Sequence, residues 1–219
     1  VIDALKMLEV STREHQMTVL RDDGLYRHIR FAKPGTGIWR FDLVTWPGHL
    51  VITGDLEDFH FARVPDMFEF FRGPVGEVNA YYWAEKLRGP VRSKVYSPQR
   101  AKQLVFEEFW DRRANFAGQS AQLWGAIRDQ ILSWDVLPSE DCVRAALRDF
   151  RYVAANPIEP AGPARDFVPQ RIPKRWNGTF EFTDSWEWDL GEWDFHFLVS
   201  LHAIVWGIHR YDSARAAAA

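Results

Sequence analysis

Aromatic rings and carboxylates crowd one stretch of this chain. Residues 178–197 read GTFEFTDSWEWDLGEWDFHF, with seven aromatic rings, six carboxylates and no lysine or arginine. An indole is large and flat and carries one N–H donor, so it can stack on a planar ligand as well as pack. Neighbouring carboxylates would then grip that ligand's polar edge. The same composition also suits an aromatic core with a solvated acidic rim. The whole chain holds eleven tryptophans in 219 residues.

A second group of polar side chains emerges from alternation. In an extended chain successive side chains point to opposite faces. Over residues 26–31, Tyr26, His28 and Arg30 then share one face, and Arg27, Ile29 and Phe31 the other. Over 38–46, Trp39, Phe41 and Leu43 oppose Arg40, Asp42 and Val44; over 59–63, Phe59 and Phe61 oppose His60 and Ala62. One sheet face is predicted apolar, with Trp39, Phe41, Leu43, Phe59 and Phe61 turned to the core. The other is mixed, and register decides whether His28, Arg30, Arg40, Asp42 and His60 meet on it.

These residues define a candidate ligand site. Trp39, Trp46, Trp186 and Trp188 would stack. Arg27, Arg30 and Arg63 would meet phosphates. Asp42, Asp55, His28 and His202 would fix a polar edge. His202 stands inside an apolar helix, where an unpaired buried polar group costs about 1–3 kcal/mol, so it needs either a partner or a cavity.

Signatures of catalysis are not found. There is no HExxH, and His202 and His209 lie about 10 Å apart along one helix, too far to share a zinc ion. There is no GxSxG, and Pro34-Gly35-Thr36-Gly37 lacks the lysine and helix start of a phosphate loop. Cys142 is the single cysteine, which excludes an intramolecular disulfide and any cysteine-based zinc site. Its helical pattern predicts a small, semi-buried residue. No catalytic residue, metal or cofactor is assigned, and the expectation leans away from an enzyme. Glu187, Asp189, Glu192 and Asp194 are the carboxylates that a hydrolase reading would use.

The elements that must position these groups are legible in outline. Residues 3–20 have the apolar spacing of one helix, closed by Asp23-Gly24. Four strands follow, at 26–31, 38–46, 50–53 and 59–63, with short Pro/Gly connections that favour an antiparallel meander. Helices are predicted at 65–71, 79–87, 97–115, 120–133 and from 139, the last three started by serines. Residues 156–174 are proline-rich and aperiodic, ending in a basic run at 171–175. A strand over 180–188 and a largely apolar core helix over 193–211 complete the chain. The expected fold is α+β: one domain over 1–219, with an N-terminal helix (1–24), a β-meander (25–64), a helical region (65–155), a Pro-rich loop (156–177) and a strand plus core helix (178–212).

Bulk properties narrow the partners. A net charge of −3 gives no electrostatic footprint for duplex nucleic acid. The longest apolar run, 195–208, is too short for a membrane span. No targeting signal is visible, so the expected location is the cytoplasm of a host cell. Self-association is left open.

Several strings form a set: QMTVLRDDGLYRHIRF (16–31), FDLVTWPGHLVITGD (41–55), ARVPDMFEFFR (62–72), YWAEKL (82–87), WEW (186–188) and FHFLVSLHAIVWGIHRYD (195–212). Together they resemble a family of uncharacterised proteins encoded by phages, prophages and bacterial mobile elements. The resemblance covers nearly the whole chain and carries over no activity. It implies a phage accessory protein, a class that includes counter-defence factors. The expected function is capture of a nucleotide-type ligand. The alternatives are a protein–protein inhibitor of a host defence complex, in the manner of an anti-CRISPR, and a nucleotide hydrolase.

Overall fold

The computed structural model describes residues 3–155 and 178–218. The Pro-rich segment and its basic end fall outside the described residues. In chain order the elements are α1 (Ala4–Ser11), β1 (Gln16–Asp23), β2 (Tyr26–Ala32), β3 (Phe41–Trp46), β4 (His49–Gly54), β5 (Phe59–Ala62), α2 (Met67–Phe71), α3 (Ala80–Ala84), β6 (Leu87–Arg88) and β7 (Lys94–Tyr96). Then come α4 (Pro98–Arg112), α5 (Ser120–Gln130), α6 (Glu140–Asp149), β8 (Arg151–Val153), β9 (Thr179–Glu181), β10 (Gly191–Trp193) and α7 (Phe195–Ala218). The fold is α+β, as its sequence pattern predicts. The chain forms two compact units, residues 1–95 with 193–219, and residues 96–192.

The first unit is built on a six-stranded antiparallel sheet in the order β1-β2-β3-β4-β5-β6. Register aligns its apolar residues in rows. Ile29, Leu43, Ile52 and Phe59 form one row, and Phe31 and Phe41 stand beside it. All six are fully buried. α7 lies against this face at its narrowest residue: a Cβ on Gly207 would come within 2.8 Å of Leu43 and 3.0 Å of Phe31. Leu201, Val205 and Ile208 of the same helix are buried in the same core. α7 is apolar on most sides because it is a core helix, here with α1 and α2 also packed on it.

Several local assignments differ from the sequence reading. Residues 3–20 are not one helix. α1 ends at Ser11, where the Thr12 hydroxyl donates to the Leu8 carbonyl, and residues 16–23 form β1. Asp23-Gly24 closes a β1–β2 hairpin, with Asp23 opposite Tyr26 and Gly24 at φ 60°. Asp-Gly serves both helix ends and hairpins; pairing with β2, invisible to local periodicity, decides between them. The second strand also starts late, at Phe41. Trp39 has φ 58°, outside any strand geometry, and is only partly buried against the core. Its four expected companions, Phe41, Leu43, Phe59 and Phe61, are fully buried.

The second unit has its own core around Val105, Leu123, Ile127, Val143, Leu147 and Phe180. Two of its helices start where the capping residues predict: Ser97 accepts from the Arg100 amide with Pro98 in the first turn, and Ser139 accepts from the Cys142 amide, whereas Ser120 is the first residue of α5 and no side chain caps that helix. Cys142 itself is exposed rather than semi-buried. The expected strand over 180–188 stops at Glu181, and residues 185–187 form a single 3-10 turn. Asp184, at φ 56°, breaks the extended run, so the alternation beyond it no longer places side chains on one face.

Candidate functional site

The mixed face of the first unit's sheet is where the sequence-derived polar residues gather. Arg30 pairs with Asp42 across β2 and β3, and Asp42 pairs in turn with Thr53. Arg30 donates to the Asp42 carboxylate through Nε at 2.9 Å and Nη2 at 2.8 Å. His28 Nε2 meets the same carboxylate at 2.8 Å. Asp42 is 6% exposed although it stands on the solvent side of the sheet, because its two partners cover it. Burial alone would raise its pKa, but the hydrogen bonds from Arg30 and His28 outweigh that and hold it below the ordinary carboxylate value.

An aromatic group lies at the other end of the same face. The Trp46 and His49 rings stack at 4.9 Å and 19° between planes. His60 adjoins both, with its ring 5.5 Å from Trp46. His49 Nδ1 and His60 Nε2 are 2.9 Å apart, a hydrogen bond in which one ring donates and the other accepts. Short β-hairpin geometry creates this group: Trp46 and His49 are directly paired around the Pro47-Gly48 turn, and Gly48 takes φ 84° there. The sequence reading expected His60 on the mixed face without giving it a ligand role and did not single out His49; only register shows that they touch.

Several expected site residues serve the scaffold. Arg27 faces the core side, donating to both Asp66 oxygens at 2.8 and 2.9 Å with its guanidinium over the Phe68 ring. Asp55 accepts from the Trp39 amide at 2.6 Å, while His15 Nε2 meets the Trp39 carbonyl at 3.0 Å. Together they pin a left-handed, non-glycine residue, a conformation that costs of order 1–3 kcal/mol unless its surroundings impose it. Arg63 is exposed beside the Trp46 turn, where its amide donates to Gly48. His202 lies on α7 and therefore across the sheet from Asp42. Its Nδ1 is buried without a partner. Burial holds its pKa below the ordinary imidazole value, against the pull of Asp3 and Glu9.

Trp186 and Trp188 belong to the second unit and part company there. Trp186 is 70% exposed. Trp188 packs edge-on against Phe182 at 5.8 Å. Of the clustered carboxylates, Asp189 accepts from the Gly191 amide and Asp194 from the Phe197 amide, so both cap turns. A shallow cavity of ≈ 250 Å³ in the first unit is lined by Gly73, Pro74, Glu77, Val78, Asn79 and Trp83, none of them a sequence candidate. Among the described residues no three His, Cys, Asp or Glu side chains are grouped to hold a metal ion, and no helix is long and apolar enough to cross a membrane.

The chain matches no protein-family model, no curated protein and no solved structure.

Proposed function

We propose that the protein is a phage-encoded counter-defence factor that binds and sequesters a nucleotide-type ligand, with the mixed face of the first unit's sheet as its platform. The observation that carries this reading is the joint placement of the Trp46–His49–His60 rings and the Arg30–Asp42–His28 cluster on one sheet face, opposite the packed core. Rings supply sequence-tolerant stacking, and ordered cations and acceptors supply polar contacts to a base or phosphate. A sheet that displays aromatic and basic side chains on its open face is a known physical solution for holding bases. The test is titration of the purified chain with linear and cyclic nucleotides, read by tryptophan fluorescence and by heat. Binding tighter than millimolar that is lost in Trp46→Ala supports the reading; its absence for every nucleotide defeats it.

One observation favours the second reading, a protein that blocks a host defence complex by direct contact. The second unit exposes Trp134 at 88%, Trp186 at 70% and Trp110 at 51%, and interface hot spots are enriched in tryptophan. Nucleotide titration with no response, together with loss of counter-defence activity in Trp134→Ser or Trp186→Ser, would favour it.

A further inference from the structure

His60 and Arg88 are directly paired across β5 and β6, so their side chains rise from the same sheet face as neighbours. His49 reaches His60 diagonally from β4. The hydrogen bond between the two imidazoles occupies Nδ1 of His49 and Nε2 of His60. Their other nitrogens, Nε2 of His49 and Nδ1 of His60, are not among the buried unpartnered atoms, in contrast to Nδ1 of His15 and of His202, and both residues are only half-buried. Arg88 is exposed and its guanidinium has no side-chain partner among the described residues. Two imidazole nitrogens and a guanidinium thus stand together, with no carboxylate partner among the described residues. Trp46 stacks on one of the three.

We propose that His49, His60 and Arg88 form an oxyanion subsite, which holds the phosphate of the nucleotide while its base lies against Trp46. This assignment rests on the nucleotide reading and names the part of the ligand each group takes. A single proton added to the imidazole pair leaves the internal hydrogen bond intact. It converts the one free nitrogen that was an acceptor, so that both rings then offer a donor, and gives the pair one positive charge beside Arg88. An oxyanion bridging the three then makes charge-assisted hydrogen bonds, stronger than neutral ones.

The subsite has a pH signature. The groups facing His60 are His49 on β4, Arg88 on β6 and the Trp46 ring on β3. Burial, His49 and Arg88 hold His60 below its ordinary value of 6.5. An anion reverses the electrostatic part of that penalty. Binding therefore takes up a proton and strengthens as pH falls, by up to about tenfold per pH unit for one linked proton.

The experiment follows the imidazole ring signals of the full chain by NMR, with sulfate as the probe because its charge is constant across the imidazole range. Saturable shifts at His49 and His60, tighter at about pH 6 than at about pH 8 and weakened in Arg88→Gln, support the subsite. His28, at the far end of the same face, should stay unmoved. Equal, unsaturated shifts at His28 and His49 mean non-specific ion binding and overturn it. A second arm compares a nucleoside monophosphate with its nucleoside in wild type, His60→Gln and Arg88→Gln. If the phosphate sits here, both variants lose most of the preference for the nucleotide. If nucleotides bind and the preference survives both substitutions, the subsite is wrong and the nucleotide reading stands. If sulfate binds as described and no nucleotide does, the subsite stands and the nucleotide reading falls.

Discussion

Arg27 and His28 are adjacent in the chain and stand on opposite faces of one sheet. Arg27 is held against Asp66 and Phe68 on the core side, with its side chain 10% exposed. His28 meets Asp42 on the solvent side, where its side chain is 36% exposed. The core-side pair joins β2 to the start of α2, since Asp66 also accepts from the Phe68 amide as helix cap. The solvent-side pair joins β2 only to β3, its neighbour. The first spans two layers and is desolvated, so it bears on whether the unit folds. The second is local, and its imidazole, unlike the carboxylate it covers, is accessible to other partners. The same residue types therefore have different consequences according to the parity of their position on one strand.

Substitutions on the two faces should separate these roles. The largest effect is expected deep on the core face. Leu201→Ala removes a fully buried side chain of α7 and should cost about 2–5 kcal/mol in chemical denaturation. An unchanged denaturation midpoint would show that α7 does not hold the unit together.

Asp66→Ala should come next, at about 3 kcal/mol, because it strands a mostly buried guanidinium and removes a helix cap. This pair also has a pH dependence. Burial pushes the Asp66 pKa up, but Arg27 and the Phe68 amide outweigh it and hold it below 3.8. A depressed carboxylate contributes stability that is present above its unfolded pKa and lost as pH falls through its folded one. Wild type should therefore lose stability below about pH 4 by more than Asp66→Ala does. Parallel acid limbs for the two proteins would contradict the assignment.

Gly207→Val should cost about 1–3 kcal/mol by overpacking, since the new Cβ would press on Leu43 and Phe31. Its readout is the same denaturation curve, and a stabilised variant would mean the helix has room to shift.

On the mixed face the expected change is in binding. Trp46→Ala should weaken a nucleotide roughly 5- to 150-fold, the equivalent of about 1–3 kcal/mol of stacking, while the protein stays folded. Arg30→Gln should weaken it less and in a salt-dependent way, because exposed charges are screened. Calorimetric titration at two salt concentrations checks both. The comparison of faces breaks down if Trp46→Ala unfolds the protein.

The two tryptophans of the acidic stretch extend the contrast to the second unit. Trp188→Ala should lower that unit's stability, since its ring packs on Phe182, whereas Trp186→Ser should leave the melting midpoint nearly unchanged. Their spacing of two residues gave them one face on paper. A left-handed Asp184 and a 3-10 turn separated them.

What the amino-acid sequence determined by itself was local. Period-two alternation in β2, β3 and β5 marks which side chains turn inward, because successive side chains on a strand point to opposite faces. Ser97 and Ser139 mark helix starts, because their oxygens reach the next turn's amides. The apolar run of α7 announces a core helix. Tertiary structure decided everything that depends on a partner distant in the chain. Residues 16–23 became a strand when β2 offered a hydrogen-bonding edge that no helix-period count includes. Arg30 and His28 came to share Asp42, and His49 came to touch His60, through a register set by hairpin turns and the buried rows beneath them. Trp39 took a left-handed backbone because Asp55 and His15 hold both sides of its peptide. Local propensity acts within a few residues, while pairing and burial act between residues that the fold brings together, so most elements and several candidate residues could be read from the chain, and which of those residues touch could not.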